Sequence, residues 1–402
     1  MKHRIVVLGA GYAGAVTAGR LAKRLHRDDV EITLVNADPD FVERVRMHQL
    51  ASGQDLPRRP LREVFAGTGV RVRVARVMAV DVDRKTVELV DEQGAGTPAH
   101  DTLAYDTLVY ALGSTVADNG VPGVAEHAYD VAGKQSALRL RARLAEVAPG
   151  GTVLVVGGGL TAIEAAAEIA EAHPDLRVSI AARGGVGDWL SDKARRHLHG
   201  AFDRLGITVH ERADITRVEA DGVVVGAAGE IPAQVTVWTA GFTAHPLAAA
   251  TTLEVSDTGR IVVDETMRSV SHPDVYAVGD AAFAQGAGDK PLRMGCATAN
   301  PMAWLAADAL AARLTGRKIP RTTIGYAAQC ISLGRRDAIV QRVTSDDRPT
   351  STVLTGRTAA RVKEFICAST AWGLHHPTMM APSRRRHLAS PRGSEAVTAS
   401  VS

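Results

Sequence analysis

The sequence predicts an α/β protein built from two units of parallel strands and helices, because one strand–turn–helix pattern occurs twice in its 402 residues. The first copy runs from an apolar strand at residues 5–8 through the turn Gly9-Ala10-Gly11-Tyr12-Ala13-Gly14. The second runs from a strand at 153–156 through Gly157-Gly158-Gly159-Leu160-Thr161-Ala162. Each turn reads G-x-G-x-x-G or G-x-G-x-x-A and opens an Ala-rich helical pattern. This context predicts two Rossmann-like dinucleotide-binding domains in one chain.

In the first turn, each small residue has an expected role. Gly9 permits the tight turn, Gly11 lets a diphosphate approach the backbone, and Gly14 lets helix and strand pack closely. The free N–H groups at the helix start then face the diphosphate. We expect Tyr12 and Ala13, inside the same turn, to contact the dinucleotide as well.

The second turn repeats these roles, with Gly157 and Gly159 in the first two positions and Ala162 as the third small residue. Two dinucleotide sites in one chain indicate two bound dinucleotides. An enzyme of this kind usually passes electrons between them.

The residue that ends the second strand of such a unit normally binds a ribose hydroxyl, most often through an acid. The first unit has Asn36 there, whose carbonyl oxygen can still accept a hydroxyl proton. The second unit has Ala182-Arg183. The missing acid removes repulsion against a 2′-phosphate, and Arg183 can pair with one, which mildly favours NADPH over NADH. A solvated arginine at a strand end is an equally good interpretation.

Composition sets the broad class. A hydrophobic content of 46% and a charged content of 23% are ordinary for a globular protein, and the length allows two or three domains. A net charge of +3 argues against nucleic acid as the main partner. The sequence shows neither a secretory leader nor a membrane-spanning apolar run, so we expect a cytoplasmic protein. Its cysteines (Cys296, Cys330 and Cys367) lack metal-ligand spacing, which predicts reduced thiols and no metal site.

Two later features suit a flavin. A strand at 274–278 ends in Gly279-Asp280, where a flavin-binding chain needs such a turn. Further on, Asn300 fits the N-cap and Pro301 the first position of a helix. The positive end of that helix, at Ala299 and Asn300, suits a reduced flavin ring, which carries negative charge. An ordinary capped helix is the alternative.

Taken together, these motifs resemble the pyridine nucleotide–disulfide oxidoreductase superfamily of two-dinucleotide flavoproteins. The similarity covers roughly residues 1–375 and is greatest to type II NADH dehydrogenases and their bacterial FAD-dependent relatives. The resemblance implies FAD on the first unit, with Asp280 at its ribityl chain, and NAD(P)H on the second. It also implies that Gly113 and Gly241 lie in the crossovers between domains. Glu164 would position the nicotinamide, with a local hydrogen bond on the helix face as the alternative. The motifs that carry this resemblance are Gly9–Gly14, Tyr105–Gly113, Gly157–Glu164, Thr239–Gly241 and Val275–Ala281.

The implied architecture inserts the NAD(P)H domain into the FAD domain and adds a small C-terminal α+β region. The expected boundaries are 1–115 and 242–316 for the FAD domain, 116–241 for the NAD(P)H domain, 317–380 for the C-terminal region and 381–402 for a disordered tail. The last helix, at 361–374, is amphipathic, and we expect it to dock onto the body. Peripheral contact with the inner face of a membrane is the alternative. The apolar face of the helix carries Val362, Phe365, Ile366 and Trp372.

The implied activity is hydride transfer from NAD(P)H to FAD, followed by electron transfer to a quinone or another acceptor, such as a small redox protein or a soluble dye-like molecule. Residues 36–56 contain no cysteine, which excludes the disulfide reductases. The segment Asn300-Pro301-Met302 lacks the Gln-rich sequence that serves quinone in type II dehydrogenases, so the acceptor stays open. A sulfide:quinone oxidoreductase using Cys296 and Cys330 is one alternative, and a non-catalytic nucleotide-binding interaction protein is another. The sequence does not predict an oligomeric state.

Overall fold

The structure is a computed structural model, and it describes residues 1–91, 99–226, 229–379 and 383–389. Its strands have two to seven residues. In chain order they are β1 (His3–Leu8), β2 (Val30–Asn36), β3 (Val70–Val74), β4 (Arg76–Asp81), β5 (Thr86–Asp91), β6 (Ala99–Ala104), β7 (Thr107–Tyr110), β8 (Ser114–Val116), β9 (Ala128–Tyr129), β10 (Thr152–Val156), β11 (Arg177–Ala181), β12 (Thr208–His210), β13 (Ile215–Glu219), β14 (Gly222–Val225), β15 (Gly229–Pro232), β16 (Val235–Trp238), β17 (Phe242–Ala244), β18 (Ile261–Val262), β19 (Val275–Ala277), β20 (Ala282–Phe283), β21 (Ala328–Ser332), β22 (Ala338–Val343) and β23 (Pro349–Thr355).

The helices alternate with these strands through most of the chain. They are α1 (Tyr12–Arg24), α2 (Met47–Ala51), α3 (Leu61–Val64), α4 (Val124–His127), α5 (Lys134–Glu146), α6 (Leu160–Ala172), α7 (Asp192–Leu205), α8 (Cys296–Leu314) and α9 (Gly356–Trp372). Single 3₁₀ turns occur at Arg44–Arg46, Gly279–Ala281 and Ala287–Asp289.

The first unit is a five-stranded parallel sheet in the order β19-β7-β1-β2-β3. In its centre, Val7 of β1 lies opposite Leu34 on one side and Val109 on the other. The apolar run at the end of β1 is buried, as expected for a strand covered on both faces. Helices α1 and α8 pack against each other beside this sheet. The chain leaves the sheet after β7 and returns to it only at β19.

The second unit repeats this plan between those two strands. Its parallel sheet has the order β12-β11-β10-β16-β9, and Val155 of β10 lies between Ile180 and Val237. Each unit also carries a three-stranded antiparallel sheet, β4-β5-β6 in the first and β13-β14-β15 in the second. The two crossovers between the units form a short antiparallel ribbon, in which β8 pairs with β17. The predicted α/β class with two Rossmann-like units is confirmed, and the residue boundaries of the domains stay a prediction.

The C-terminal region is an antiparallel sheet, β21-β22-β23, with α9 packed on it. Helix α9 begins at Gly356, one turn before the predicted start. Its buried face is made of small side chains at Ala359, Cys367 and Ala371. Phe365 is 73% exposed, and Ile366 and Trp372 are also exposed. The helix therefore docks onto the body as expected, through its face of small residues, while the large apolar side chains lie on the exposed side.

Residues 383–389 lie along the first unit. Arg386 forms a backbone bridge with Leu25, and the N–H of Ala389 donates to the carbonyl of Leu314 at 2.9 Å. The predicted disorder from residue 381 is wrong for this stretch, because backbone hydrogen bonds and Leu388 attach it to the body. The rest of the predicted tail, 381–382 and 390–402, lies outside the described residues.

Among the described helices, none combines the length and apolar character needed to cross a lipid bilayer.

Candidate active site

The first Gly-rich turn packs tightly on two sides and is open on the third. Gly9 has a φ of +92°, and a Cβ there would lie 2.3 Å from the carbonyl oxygen of Ala111. A Cβ on Gly14 would lie 1.9 Å from the carbonyl oxygen of Gly9. At Gly11 a Cβ would meet no heavy atom within 4 Å, and no side chain caps the helix that starts there. The turn therefore offers free backbone N–H groups beside open space, as a diphosphate requires.

Asn36 secures this turn from the neighbouring strand. Its Oδ1 accepts the N–H of Ala10 at 2.8 Å, and its Nδ2 donates to the carbonyl of Asp38 at 2.7 Å. One lone pair of Oδ1 remains for a ribose hydroxyl, so ribose binding stays a prediction. Tyr12 belongs mainly to the hydrophobic core, because its ring is buried and packs edge-on against Phe41, with ring centroids 5.0 Å apart. Its contact with a dinucleotide stays a prediction.

Gly279 and Asp280 lie directly beside the first turn. A Cβ on Gly279, whose φ is +68°, would lie 3.0 Å from the Cβ of Ala13. The Asp280 carboxylate accepts a hydrogen bond from Ser114 Oγ at 2.7 Å and lies 3.6 Å from the Arg44 guanidinium. The structure thus brings together the first Gly-rich turn and the Gly279-Asp280 turn, both of which the sequence analysis assigns to FAD.

Arg44 is a site residue that the sequence analysis missed. Its guanidinium lies 5.4 Å from the ring centre of Phe242, and a Cβ on Gly113 would be 3.5 Å from it. The side chain is partly exposed, yet burial lowers its pKa, with Asp280 acting in the opposite direction. A lone arginine before a short helix carries no local pattern that could have identified it.

Helix α8 begins earlier than predicted. Gly295 is the N-cap and Cys296 the first helical residue, so the prediction of a cap at Asn300 is wrong. The extra turn is held by Thr298, whose hydroxyl donates to the carbonyl groups of Arg293 and Gly295, each at 3.0 Å. The positive end of the helix moves with it, from Ala299 to Cys296. Burial raises the pKa of the Cys296 thiol.

Within α8, Ala299 is buried, and so is Asn300 Oδ1, which finds no partner among the described residues. An unpaired buried oxygen of this kind is costly and is expected to have a partner in the functional protein.

The second turn has the same design as the first. A Cβ on Gly157, whose φ is +138°, would lie 2.8 Å from Thr239 Oγ1, whereas one on Gly159 would meet no heavy atom within 4 Å. Ala162 is fully buried, in keeping with a role in packing. Gly241, at the start of the return crossover, has a φ of +144°, and its carbonyl accepts the N–H of Ala117 at 3.1 Å.

Arg183 lies at the end of β11, as the sequence indicates. Its side chain is 77% exposed and forms an ion pair of 3.3 Å with Asp214, which is 67% exposed. Exposed pairs of this kind contribute little to stability, so the guanidinium is free to exchange Asp214 for another anion.

Glu164 lies in the first turns of α6 and belongs to a buried polar network. Its Oε1 accepts hydrogen bonds from the N–H and the hydroxyl of Ser332, each at 3.0 Å, and from the Lys363 ammonium. Lys363 also donates to the carbonyl of Cys330 at 3.1 Å. The carboxylate therefore connects the second unit to the C-terminal region, a partnership that a separation of more than 160 residues conceals in the sequence.

The Glu164–Lys363 pair is ionised. Burial raises the pKa of Glu164, but the charge of Lys363 and the hydrogen bonds from Lys363 and Ser332 act together to leave that pKa below its ordinary value. Burial likewise lowers the pKa of Lys363, but the charge and the hydrogen bond of Glu164, added to the effects of other neighbours, leave that pKa above its ordinary value. His48 lies nearby, 3.5 Å from Ser332 Oγ, and burial lowers its pKa to about 4. At neutral pH the network thus holds one anion, one cation and a neutral imidazole.

A cavity of about 510 Å³ adjoins this network. Its walls come from α2, the end of β21, the turn between β21 and β22, the start of β22, and α9, and more of the lining side chains are cationic than acidic. They include Gln49, Ser332, Arg335, Arg361, Lys363 and Cys367.

The cysteines are free thiols. Burial raises the pKa of Cys330 and of Cys367 to about 11. A reactive cysteine needs a lowered pKa, so these environments argue against thiolate chemistry.

Comparisons with known proteins agree with this geometry. Residues 3–309 match the pyridine nucleotide-disulphide oxidoreductase family. An NADH dehydrogenase-like protein of Mycobacterium tuberculosis is 28% identical over 379 residues, which cover 87% of this chain and 91% of that protein. A type II NADH:quinone oxidoreductase of the same species is 28% identical over 331 residues, covering 71% and 67%. The structure of NDH2 from Plasmodium falciparum in complex with NADH has the same fold, with a TM-score of 0.78 at 15% identity and coverage of 94% and 97%.

Proposed function

The chain belongs to the pyridine nucleotide-disulphide oxidoreductase family, in its type II NADH dehydrogenase-like branch, and from this premise we propose an FAD-dependent NAD(P)H dehydrogenase that passes electrons to a quinone. One observation carries the proposal. Gly11 and Gly159 are both open positions at uncapped helix starts, each at the carboxyl edge of its own parallel sheet. The β8–β17 ribbon joins the two units that bear them.

The residues of the first unit fit FAD. The N–H groups at Gly11 would hold its diphosphate, Asn36 its ribose and Asp280 its ribityl chain, with Ser114 orienting that carboxylate. The start of α8 at Cys296 would stabilise negative charge on the ring. When bound, FAD supplies the ring that takes a hydride and releases electrons singly or in pairs. We propose 1–115 and 242–316 as the FAD domain and 116–241 as the NAD(P)H domain.

In the second unit, the N–H groups at Gly159 would hold the diphosphate of NAD(P)H. Glu164 is fixed by Ser332 and Lys363, so it would act as a rigid anion that orients the nicotinamide end rather than as a proton donor. Arg183 supports use of NADPH beside NADH, because its ion pair with Asp214 is exposed and the guanidinium can bind a 2′-phosphate in its place.

A quinone is the proposed acceptor, because the name of a relative with 28% identity is type II NADH:quinone oxidoreductase. Contact with a membrane, where quinones dissolve, is supported by the exposed apolar face of α9 at Phe365, Ile366 and Trp372. Arg361 on the same helix would add attraction to anionic lipid. We therefore propose a protein that binds the membrane surface peripherally.

Sulfide oxidation is the weaker alternative. It requires a pair of reactive cysteines, whereas burial raises the pKa values of Cys296, Cys330 and Cys367. Iodoacetamide treatment separates the two activities, because NAD(P)H oxidation by the proposed dehydrogenase should be insensitive to alkylation.

The proposed function is tested by anaerobic stopped-flow reduction of the purified protein. The proposal expects NADH or NADPH to bleach the flavin absorbance and a quinone to restore it. A protein that binds no FAD, or whose flavin neither nucleotide reduces, would contradict it. Reduction without reoxidation by any quinone would retain the dehydrogenase and reject the quinone.

A further inference from the structure

The end of the described chain brings a histidine from the C-terminal segment onto the first unit. The N–H of His26 donates to the carbonyl of Arg386 at 2.8 Å, and the N–H of Arg386 donates to that of Arg24 at 2.9 Å. These backbone bonds fix the position of the next residue, His387. It lies against the loop between α1 and β2, far from both nucleotide turns in sequence.

Three side chains that could bind a metal meet at this point. His387 Nδ1 lies 2.9 Å from Asp29 Oδ2. The imidazoles of His26 and His387 stack, with centroids 3.9 Å apart and an angle of 29° between the rings. One potential ligand atom from each of His26, Asp29 and His387 lies within 4.8 Å of the other two.

Two imidazole nitrogens and a carboxylate oxygen form a donor set that zinc prefers. With metal–ligand bonds of about 2.0–2.2 Å, tetrahedral ligand atoms lie roughly 3.4 Å apart, so the cluster has to contract by about 1.5 Å at most. The His387 ring also has to rotate out of the stack, because an imidazole nitrogen binds a metal in the plane of its ring. His387 can make that movement because its side chain is 67% exposed. Asp29 is already oriented, since Oδ2 accepts the N–H of Leu388 at 2.9 Å. Hydrogen bonds from outside the ligand set are what hold metal ligands in place.

We propose that His26, Asp29 and His387 form a binding site for Zn²⁺ or a similar divalent transition metal, which fastens the C-terminal segment to the first unit. Asp28, whose carboxylate lies 3.4 Å from His26 Nδ1, adds negative charge beside the site. The fourth coordination position is left for water. This site is separate from the proposed nucleotide sites and does not depend on the proposed function.

The site also has a mechanical consequence. Residues 384–386 are arginines, each a potential trypsin cleavage site. Because the metal joins His387 to His26 and Asp29, its binding should hold this segment against the body and slow cleavage there. Cleavage needs local release of the backbone, which the metal opposes.

The test uses the full-length purified protein, stripped of metal with a chelator and titrated with ZnCl₂ by calorimetry. Wild type should bind one more equivalent of Zn²⁺ than His387→Ala and His26→Ala, or these variants should bind it at least about tenfold more weakly. The matched control is His100→Ala, an exposed histidine of the first unit, which should bind as wild type does.

Trypsin provides the second readout, with fragments identified by mass spectrometry. Zn²⁺ should slow cleavage at residues 384–386 in wild type and in His100→Ala but not in His387→Ala. A circular dichroism spectrum and melting temperature like those of wild type would show that each variant is folded. Equal Zn²⁺ binding by wild type and both variants, or cleavage of wild type that Zn²⁺ does not slow, would overturn the proposal.

Discussion

Gly9 and Gly11 stand two residues apart in one turn but are needed for opposite reasons. Gly9→Ala puts a side chain at a φ of +92° and a Cβ 2.3 Å from the Ala111 carbonyl oxygen. It should lower the free energy of unfolding by about 2 kcal/mol or more, because it adds a clash to the strain of a left-handed conformation. Gly11→Ala meets no protein atom, so the apoprotein should stay within about 0.5 kcal/mol of wild type while FAD binding weakens.

Urea unfolding of the FAD-free variants and a flavin titration measure the two effects separately. Equal loss of stability in both variants would contradict the distinct roles of the two glycines.

The ion pair between Lys363 and Glu164 yields a prediction about buried charge. Lys363→Met leaves Glu164 without its counter-charge and should cost about 3–5 kcal/mol of unfolding free energy. The double variant Glu164→Gln/Lys363→Met should recover part of that loss, because no bare charge remains. Lys85→Met is the matched control: its partner Asp274 lies 2.6 Å away and both side chains are 44% exposed, so the loss should be about 0–1 kcal/mol.

Equilibrium denaturation gives all three values. A double variant as unstable as Lys363→Met would show that the side chains act through packing rather than charge.

Glu168 gives a prediction about pH. Its side chain is buried, Gln54 donates to Oε1, and burial raises its pKa from an ordinary 4.5 to about 7. The folded protein therefore holds a proton that the unfolded chain releases between these values, so this group lowers stability as the pH rises from 4.5 to about 7. Glu168→Gln removes the ionisation and keeps an acceptor for Gln54. Relative to wild type, the variant should gain stability across that window, by roughly 3 kcal/mol at most at pH 8.

Unfolding free energies of both proteins at pH 5 and pH 8 test this. A difference that does not change with pH would contradict a protonated Glu168.

At the scale of the element, α9 turns its large apolar side chains outward. Phe365 is 73% exposed, so Phe365→Glu should leave the melting temperature unchanged. It should reduce cosedimentation with vesicles containing anionic lipid several-fold, because it removes apolar area and adds repulsion. The matched control is Leu138→Glu on α5, which is 42% exposed in the second unit and should bind vesicles as wild type does.

Unchanged vesicle binding by Phe365→Glu would contradict the proposed membrane contact of this helix.

The elements also show how far the sequence could predict the fold. Helices α1 and α6 follow directly from the Gly-rich turns, because the turn chemistry and the helical period point to the same residues. The start of helix α8 could not be predicted in this way. The sequence Asn300-Pro301 resembles a helix start, whereas the true start depends on hydrogen bonds of the Thr298 hydroxyl. The orientation of α9 was also missed: the sequence shows that a helix is amphipathic but not which face the rest of the chain covers.

At the scale of the whole molecule, the C-terminal region joins the two units. From α9, Lys363 pairs with Glu164 of the second unit and Glu364 with Arg46 of the first. None of these pairs carries a local sequence pattern, because each depends on how separate sheets pack. The repeated Gly-rich turn predicted both candidate nucleotide-binding sites. The site residues Arg44, Ser332 and Lys363 could be identified only from the tertiary structure.

The central claim is that each Gly-rich turn binds its own nucleotide: the first turn binds FAD and the second binds NAD(P)H. The most direct test is anaerobic reduction of the bound flavin in a Gly159→Val variant, followed by its absorbance. A Cβ at residue 159 meets no protein atom within 4 Å, so the variant should fold and retain its flavin. The rate at which NADH or NADPH bleaches that flavin should then fall at least about tenfold relative to wild type, because the valine side chain obstructs the second diphosphate site. A folded variant that purifies without flavin, or one reduced at the wild-type rate, would contradict the account.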